Sequence, residues 1–203
     1  MIINLEGLIK KYNLDIKGVI HIGANVGQEI STYDKLNVNE RVYIEPQPNI
    51  FEKLKSSSRD EDLLFNTALG NQIGEIEMYI SNNVNSQSSS ILKPDLHLTL
   101  HPNCKFPDKS IVKITKLDLL EFDRKNYNFI NIDVQGYELE VFKGGSETIN
   151  HIDYIYSEVN RDSVYKGCAH IDELESYLKP YGFYLAEVHW ATKHWGDALF
   201  IKN

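Results

Sequence analysis

The chain reads as an α/β protein, a mostly parallel sheet with helices on both faces. Three observations predict it. Short aliphatic runs end abruptly at glycine or at an acid, as at Val19–Ile22 before Gly23, Val42–Ile44 before Glu45 and Phe129–Ile132 before Asp133. Segments of helical period, such as Ile50, Phe51 and Leu54, lie between such runs. Alternation of the two implies crossover connections, because parallel strands cannot be joined by a tight hairpin.

Taken in order, Ile2, Leu5, Leu8 and Ile9 recur at helical spacing and predict a leader helix within residues 1–17, packed on the sheet edge. Residues 18–45, GVIHIGANVGQEISTYDKLNVNERVYIE, read as strand, glycine turn, helix and strand. Pro46 and Pro48 mark a turn into the helix that carries Ile50, Phe51 and Leu54. Leu63 to Leu69 is expected as a third strand, and Ile76 to Ile80 as a strand with one solvated face. From Ser81 to Ser90 every residue except Val84 and Gln87 is Ser or Asn, too polar to pack, and Pro94, Pro102 and Pro107 keep the chain irregular. Residues 81–109 are therefore a long loop, expected as a lid. Ile111, Lys113 and Thr115 lead into Leu117, Leu119 and Leu120 as a connector. Phe129–Asp133 is a central strand, followed by Gly136 and a helix carrying Leu139, Val141 and Phe142 that stops at Gly144-Gly145. Ile152–Val159 is the next strand. A helix over Ile171–Leu178 follows, and the strands Phe183–Val188 and Ala198–Ile201 then enclose a loop with His189, Trp190, His194, Trp195 and Asp197.

A length of 203 residues fits one domain, 1–203, with a substantial core. Lys and Arg number 21 against 29 Asp and Glu, a net charge of -8, and the cations are scattered. That disfavours a phosphate-neutralising surface, so nucleic acid is not an expected partner. Cys104 and Cys168 stand far apart, which indicates neither a disulfide framework nor a cysteine zinc cage. His97, His101 and Cys104 lack a fourth partner at metal spacing, and no metal is assigned. No run reaches membrane-spanning length, and a cytoplasmic protein is expected.

The strand ends select the chemistry, since ligands of open parallel sheets bind outside the carboxyl ends of the strands. The first crossover offers backbone N–H groups at a helix start, with Glu45 roughly 20 residues beyond the glycines to accept hydrogen bonds from ribose hydroxyls. Gly23-Ala24-Asn25-Val26-Gly27 lacks the middle glycine of the dinucleotide pattern, so a diphosphate ligand is disfavoured. A tight turn alone also accounts for Gly23 and Gly27. Asp133 and Glu158 end two strands; if these are neighbours about 4.8 Å apart, repulsion raises one pKa and makes a base useful near neutrality. The pair also has the ligand chemistry for Mg²⁺, and Glu158 alternatively serves as an ordinary strand-end cap. His189, Trp190, His194 and Asp197, with Tyr165, are of the types that stack on sugar faces and hydrogen-bond hydroxyls, which points to a carbohydrate or other small-molecule acceptor. Edge packing of the same aromatics is the competing explanation.

HIGANVGQ, the acid-ended YIEP, and NIDVQGYELEVFKGG followed by YIYSEVN together resemble the FkbM family of S-adenosylmethionine-dependent methyltransferases, in register from about Gly18 to Val159. The resemblance implies a Rossmann-like class I methyltransferase sheet of seven strands with the last antiparallel, and S-adenosylmethionine as cofactor. It implies that Gly23, Ala24, Asn25 and Gly27 shape the methionine pocket, that Glu45 holds the ribose and that Asp133 faces the methyl-transfer centre. Ser89 matches a position close to the cofactor, and Ala68, at a strand end, joins the expected cofactor shell. His21 stands where the family usually has Asp, and Gln135 where it commonly has Glu; His21 is also readable as a core histidine. The expected activity is O-methylation of a hydroxyl on a sugar, glycan or related small molecule. Two further readings stand beside it, an NAD(P)-dependent oxidoreductase and a non-catalytic nucleoside-binding module.

Overall fold

The computed structural model describes residues 5–203. Ten strands and seven α-helices follow in chain order: α1 (Leu5–Tyr12), β1 (Gly18–Ile22), α2 (Ile30–Lys35), β2 (Glu40–Ile44), α3 (Pro48–Ser57), β3 (Leu63–Phe65), β4 (Ala68–Leu69), β5 (Gly74–Ile80), α4 (His97–Leu100), β6 (Asp108–Thr115), β7 (Phe129–Ile132), α5 (Glu138–Lys143), α6 (Ser146–Ile149), β8 (Tyr154–Asn160), α7 (Ile171–Leu178), β9 (Phe183–Trp190) and β10 (Trp195–Lys202). Seven strands form the main sheet in the order β3-β2-β1-β7-β8-β10-β9. All its pairings are parallel except those of β10, which runs antiparallel to both β8 and β9. This is the Rossmann-like methyltransferase sheet expected.

The period of two sorts side chains onto two layers. Ile20, Ile22, Val42, Ile44, Ile130 and Ile132 face α5, α6 and α7, packing with Val141, Phe142, Ile149, Leu174 and Leu178. Val19, Tyr43, Phe129, Tyr156 and Leu199 face the other way, onto Leu5, Leu8, Tyr33 and Leu54 of α1, α2 and α3. Val19, Ile20, Phe129 and Ile130 are wholly buried, each such aliphatic or aromatic side chain contributing about 1.5–3 kcal/mol. Helix α1 thus covers a sheet face, and only its end reaches the edge, where the Tyr12 hydroxyl donates to Ala186 O at 3.0 Å. The expected leader-helix position Ile2 lies outside the described residues.

Four expectations on element limits are corrected. Leu63–Leu69 is two strands: β3 joins the main sheet beside β2, whereas β4 leaves it for a smaller sheet of order β4-β6-β5. The connector at 111–115 is the long strand β6, paired antiparallel with β5. There Val112 and Ile114 turn inward while Ile111 is exposed. The strands β9 and β10 run on to Trp190 and from Trp195, leaving a hairpin loop of only 191–194. Finally, the polar tract packs: Ser81, Ser89 and Ser90 are buried, since hydrogen bonds replace the solvation these groups lose.

Candidate active site

The carboxyl ends of β1, β2, β7 and β8 open on a cavity of about 740 Å³, closed on its far side by the segment between β5 and β6. It is built from turns. After β1 the chain leaves through Gly23 at φ 79° and Asn25 at φ 48°. A Cβ on Gly23 would run into the Asp133 backbone carbonyl, and one on Gly27, at φ 81°, into Ile30 and Leu54. These glycines are therefore required by backbone shape and packing. Gly27 and Ala24 lie behind the cavity wall, while Gly23 and Asn25 line it.

Glu45 follows β2 and is almost fully buried. Its Oε2 accepts the Asn25 backbone N–H at 3.0 Å and its Oε1 that of Gln47 at 2.9 Å. Burial pushes its carboxyl up to about 7, against the lowering effect of those two donors. One acid thereby ties the β1 turn to the β2 exit, with each oxygen keeping a second lone pair.

His21 also lines the cavity, its ring set between Tyr33 and Tyr43. Burial pushes it down to about 3, so it is neutral at physiological pH. Its Nδ1 lies 3.3 Å from the Tyr33 hydroxyl, which in turn accepts from Asn131 Nδ2 at 2.6 Å. The partner is thus a side-chain hydroxyl. Glu29 Oε2 stands 3.9 Å from its Nε2.

The parallel register of β7 and β8, with Ile132 opposite Ser157, sets Asp133 beside Glu158. Both line the cavity, and the amide of Gln135 spans them, 2.7 Å from Asp133 Oδ1 and 2.6 Å from Glu158 Oε2. Burial first, and the neighbouring Asp133 second, hold the Glu158 carboxyl well above the usual range. Two acids side by side in a buried place disfavour a second negative charge.

The covering segment is tied down at separated points. Asn25 Nδ2 donates to Asn85 O at 2.9 Å, the Tyr165 hydroxyl reaches Ser88 O at 2.8 Å, and Ser90 Oγ donates to Gln135 O at 2.8 Å. Ser89 lines the cavity and accepts the Ser81 N–H at 3.0 Å; Ala68, at the start of β4, lines it too. His97, His101 and Cys104 border its outer part, and among the described residues no group of three such side chains has the geometry to hold a metal ion.

The aromatic set expected to meet an acceptor is placed elsewhere, because β9 and β10 continue through it. His189 is exposed on β9, Trp190 packs under the Arg161 guanidinium at 4.0 Å, and His194 Nδ1 is 2.6 Å from Asp162. Asp197 is buried within β10 and accepts from the Tyr156 hydroxyl at 2.6 Å. Tyr165 is fully buried behind Gln135. None of these five lines the cavity; Trp195 does. Reading the two-residue alternation of Trp195-Gly196-Asp197-Ala198 as strand was the available signal for it. Nothing local marks Gln135 as the bridge.

A mostly parallel sheet of this order, with an acid after β2 and a carboxyl pair from Asp133 after β7 and Glu158 near the end of β8 around one cavity, defines the class: a Rossmann-like fold of the methyltransferase type. Solved structures agree on the fold. The chain is similar to magnesium protoporphyrin IX methyltransferase from Synechocystis PCC 6803 with bound SAM, at a TM-score of 0.54 and 10% identity over 98% of this chain and 76% of that one. It is also similar to the methyltransferase domain of bacterial CtHen1, at a TM-score of 0.53 and 11% identity over 97% and 94%. The methyltransferase FkbM domain profile matches residues 21–185, and the chain belongs to that family. A relative, the 2-O-methyltransferase NoeI of Sinorhizobium fredii (strain NBRC 101917 / NGR234), is 27% identical over 159 residues, covering 73% of this chain. The match spans 65% of that relative's length.

Proposed function

We propose that this chain is an S-adenosylmethionine-dependent O-methyltransferase acting on a hydroxyl of a sugar, glycan or related small molecule. The observation that carries the reading is that Glu45 and the Asp133–Glu158 pair line one cavity at the carboxyl edge of the sheet. The residues present fit the cofactor. Glu45 offers ribose hydroxyls an acceptor already oriented by two backbone N–H groups. His21, Gly23, Asn25, Ala68 and Ser89 supply the rest of that wall.

When bound, the cofactor supplies a methyl group on a positively charged sulfur. The chain must align a hydroxyl and take its proton, the two contributions an enzyme can make to such a displacement. Asp133 is the base in this reading. One of its oxygens accepts from Gln135 at 2.7 Å, and in this reading the carboxylate takes the acceptor's proton. Burial and the nearness of Asp133 favour the protonated form of Glu158.

The outer wall supports a polyhydroxylated acceptor. Asn82, Gln87, Ser88 and Asn103 present amides and a hydroxyl, and Trp195 presents an aromatic surface of the kind that packs on sugar rings. The relative's description as a 2-O-methyltransferase supports oxygen as the accepting atom. The part of residues 81–109 that precedes β6 serves as the lid in this reading, and the two free, buried cysteines fit a reducing, cytoplasmic setting. Among the described residues no helix is long and apolar enough to cross a membrane.

Calorimetric titration with S-adenosylhomocysteine and with NAD, followed by transfer of labelled methyl from S-adenosylmethionine to a panel of glycosides, tests the proposal. Binding of the former ligand alone, with label entering a glycoside, is the expected result. Binding of NAD, or of neither ligand, would overturn it.

A further inference from the structure

Gln135 adopts φ 55°, a left-handed conformation that costs free energy in any residue with a side chain. The surrounding chain holds it there from three directions. Glu138, at the start of α5, accepts the backbone N–H groups of Val134 and Gly136 on one oxygen, both at 3.1 Å. Ser90, from the covering segment, donates to the Gln135 carbonyl at 2.8 Å. Tyr165, after β8, places its hydroxyl 2.7 Å from the side-chain Oε1. What remains is the amide nitrogen, whose two N–H groups go to Asp133 and Glu158. Two carboxyl oxygens on one side require the donor end of the amide there, so its orientation is determined by chemistry.

The rest of the surroundings is acidic or neutral. Among the described residues no lysine or arginine lines the cavity. Glu138 from α5 and Asp197 from β10 act on Glu158 as further acids, Tyr165 faces the pair, and His97 and Cys104 of the covering segment stand behind Tyr165. A pair of carboxyls in such a place needs a donor between them, or it will turn apart or take up protons.

We infer that Gln135 is a positioning residue for the carboxyl pair: its amide takes the place of a cation, holding Asp133 and Glu158 together and setting how the pair shares its proton. The inference rests on the methyl-transfer reading for its purpose, but its test does not need cofactor or acceptor. Carboxyl ¹³C resonances of Asp133 and Glu158, assigned with D133N and E158Q, are titrated by NMR in the ligand-free full chain. Gln135→Met keeps length and removes both donors, so the titration midpoints of the pair should rise by about one pH unit or more, the scale of hydrogen bonds to a charged group. Gln135→Glu, which adds a third acid, should raise them further. Tyr165→Phe frees the amide and should give a smaller rise in the same direction; it decides the matter if Gln135→Met does not fold. Midpoints equal to wild type in folded Gln135→Met or, failing that variant, in Tyr165→Phe would overturn the inference, even if thermal stability falls. Titration of the wild type with S-adenosylhomocysteine judges the methyltransferase reading separately.

Discussion

Glu45 should make cofactor binding pH-dependent, and the structure says in which direction. Its carboxyl, raised by burial to about 7, is largely protonated in the free protein at pH 6. A protonated acid keeps one donor and loses acceptor capacity, so the form that serves two ribose hydroxyls is the carboxylate. Charge-assisted hydrogen bonds are worth about 1.5–3 kcal/mol, which pulls the pKa down by about one to two units on binding. Affinity for S-adenosylhomocysteine should therefore fall about tenfold from pH 8 to pH 5.5, with a proton released on binding near pH 6. Calorimetry in two buffers of different ionisation enthalpy measures both. Glu45→Gln should weaken binding at pH 8 by about 10- to 100-fold, because an amide N–H₂ must then oppose the N–H of Asn25 or Gln47. It should also flatten the pH dependence. The same shift acts on folding: an acid raised in the folded state favours it fully below pH 4.5, and that contribution, about 3 kcal/mol, is lost as pH rises through 7. A flat affinity profile for the wild type, with Glu45→Gln binding normally, would refute the ribose role.

Further outcomes follow from the site. Gly23→Ala forces a Cβ into the Asp133 carbonyl and a left-handed φ onto alanine, so a loss of more than about 2 kcal/mol in urea unfolding is expected, with cofactor binding abolished. Asp133→Asn should retain S-adenosylhomocysteine binding while turnover drops by about 10²- to 10⁴-fold, and Glu158→Gln should fall less; equal activity in both variants would move the base elsewhere. Hydrogen exchange should slow in residues 97–104 when cofactor and acceptor bind, whereas Tyr79 and Ser90, already paired N–H to O in both directions, should be protected throughout. Unchanged exchange at 97–104 would remove the lid.

The amino-acid sequence by itself determined the parts of this protein that depend on neighbours along the chain. Val19–Ile22 before Gly23, Val42–Ile44 before Glu45, and Phe129–Ile132 before Asp133 announce strands and the turn residues that end them, and a parallel sheet brings such ends to one edge whatever the detail. So the convergence of Glu45, Asp133 and Glu158 on one cavity was legible. Only the tertiary structure decided what depends on register and on distant partners. A hairpin loop shortened to 191–194 assigned Trp195 to the cavity and left Trp190 beneath Arg161, because one residue of strand reverses the face a side chain takes. Leu63–Leu69 divided between two sheets, since β-propensity is blind to which strand lies alongside. The bridge of Gln135 across the two acids, with Tyr165 and Ser90 behind it, depends on contacts 23 to 45 residues apart along the chain, and no local pattern encodes it. Burial and long-range hydrogen bonds, which exist only once the chain has closed, place those groups and shift the carboxyls of Glu45 and Glu158 up and the His21 imidazole down.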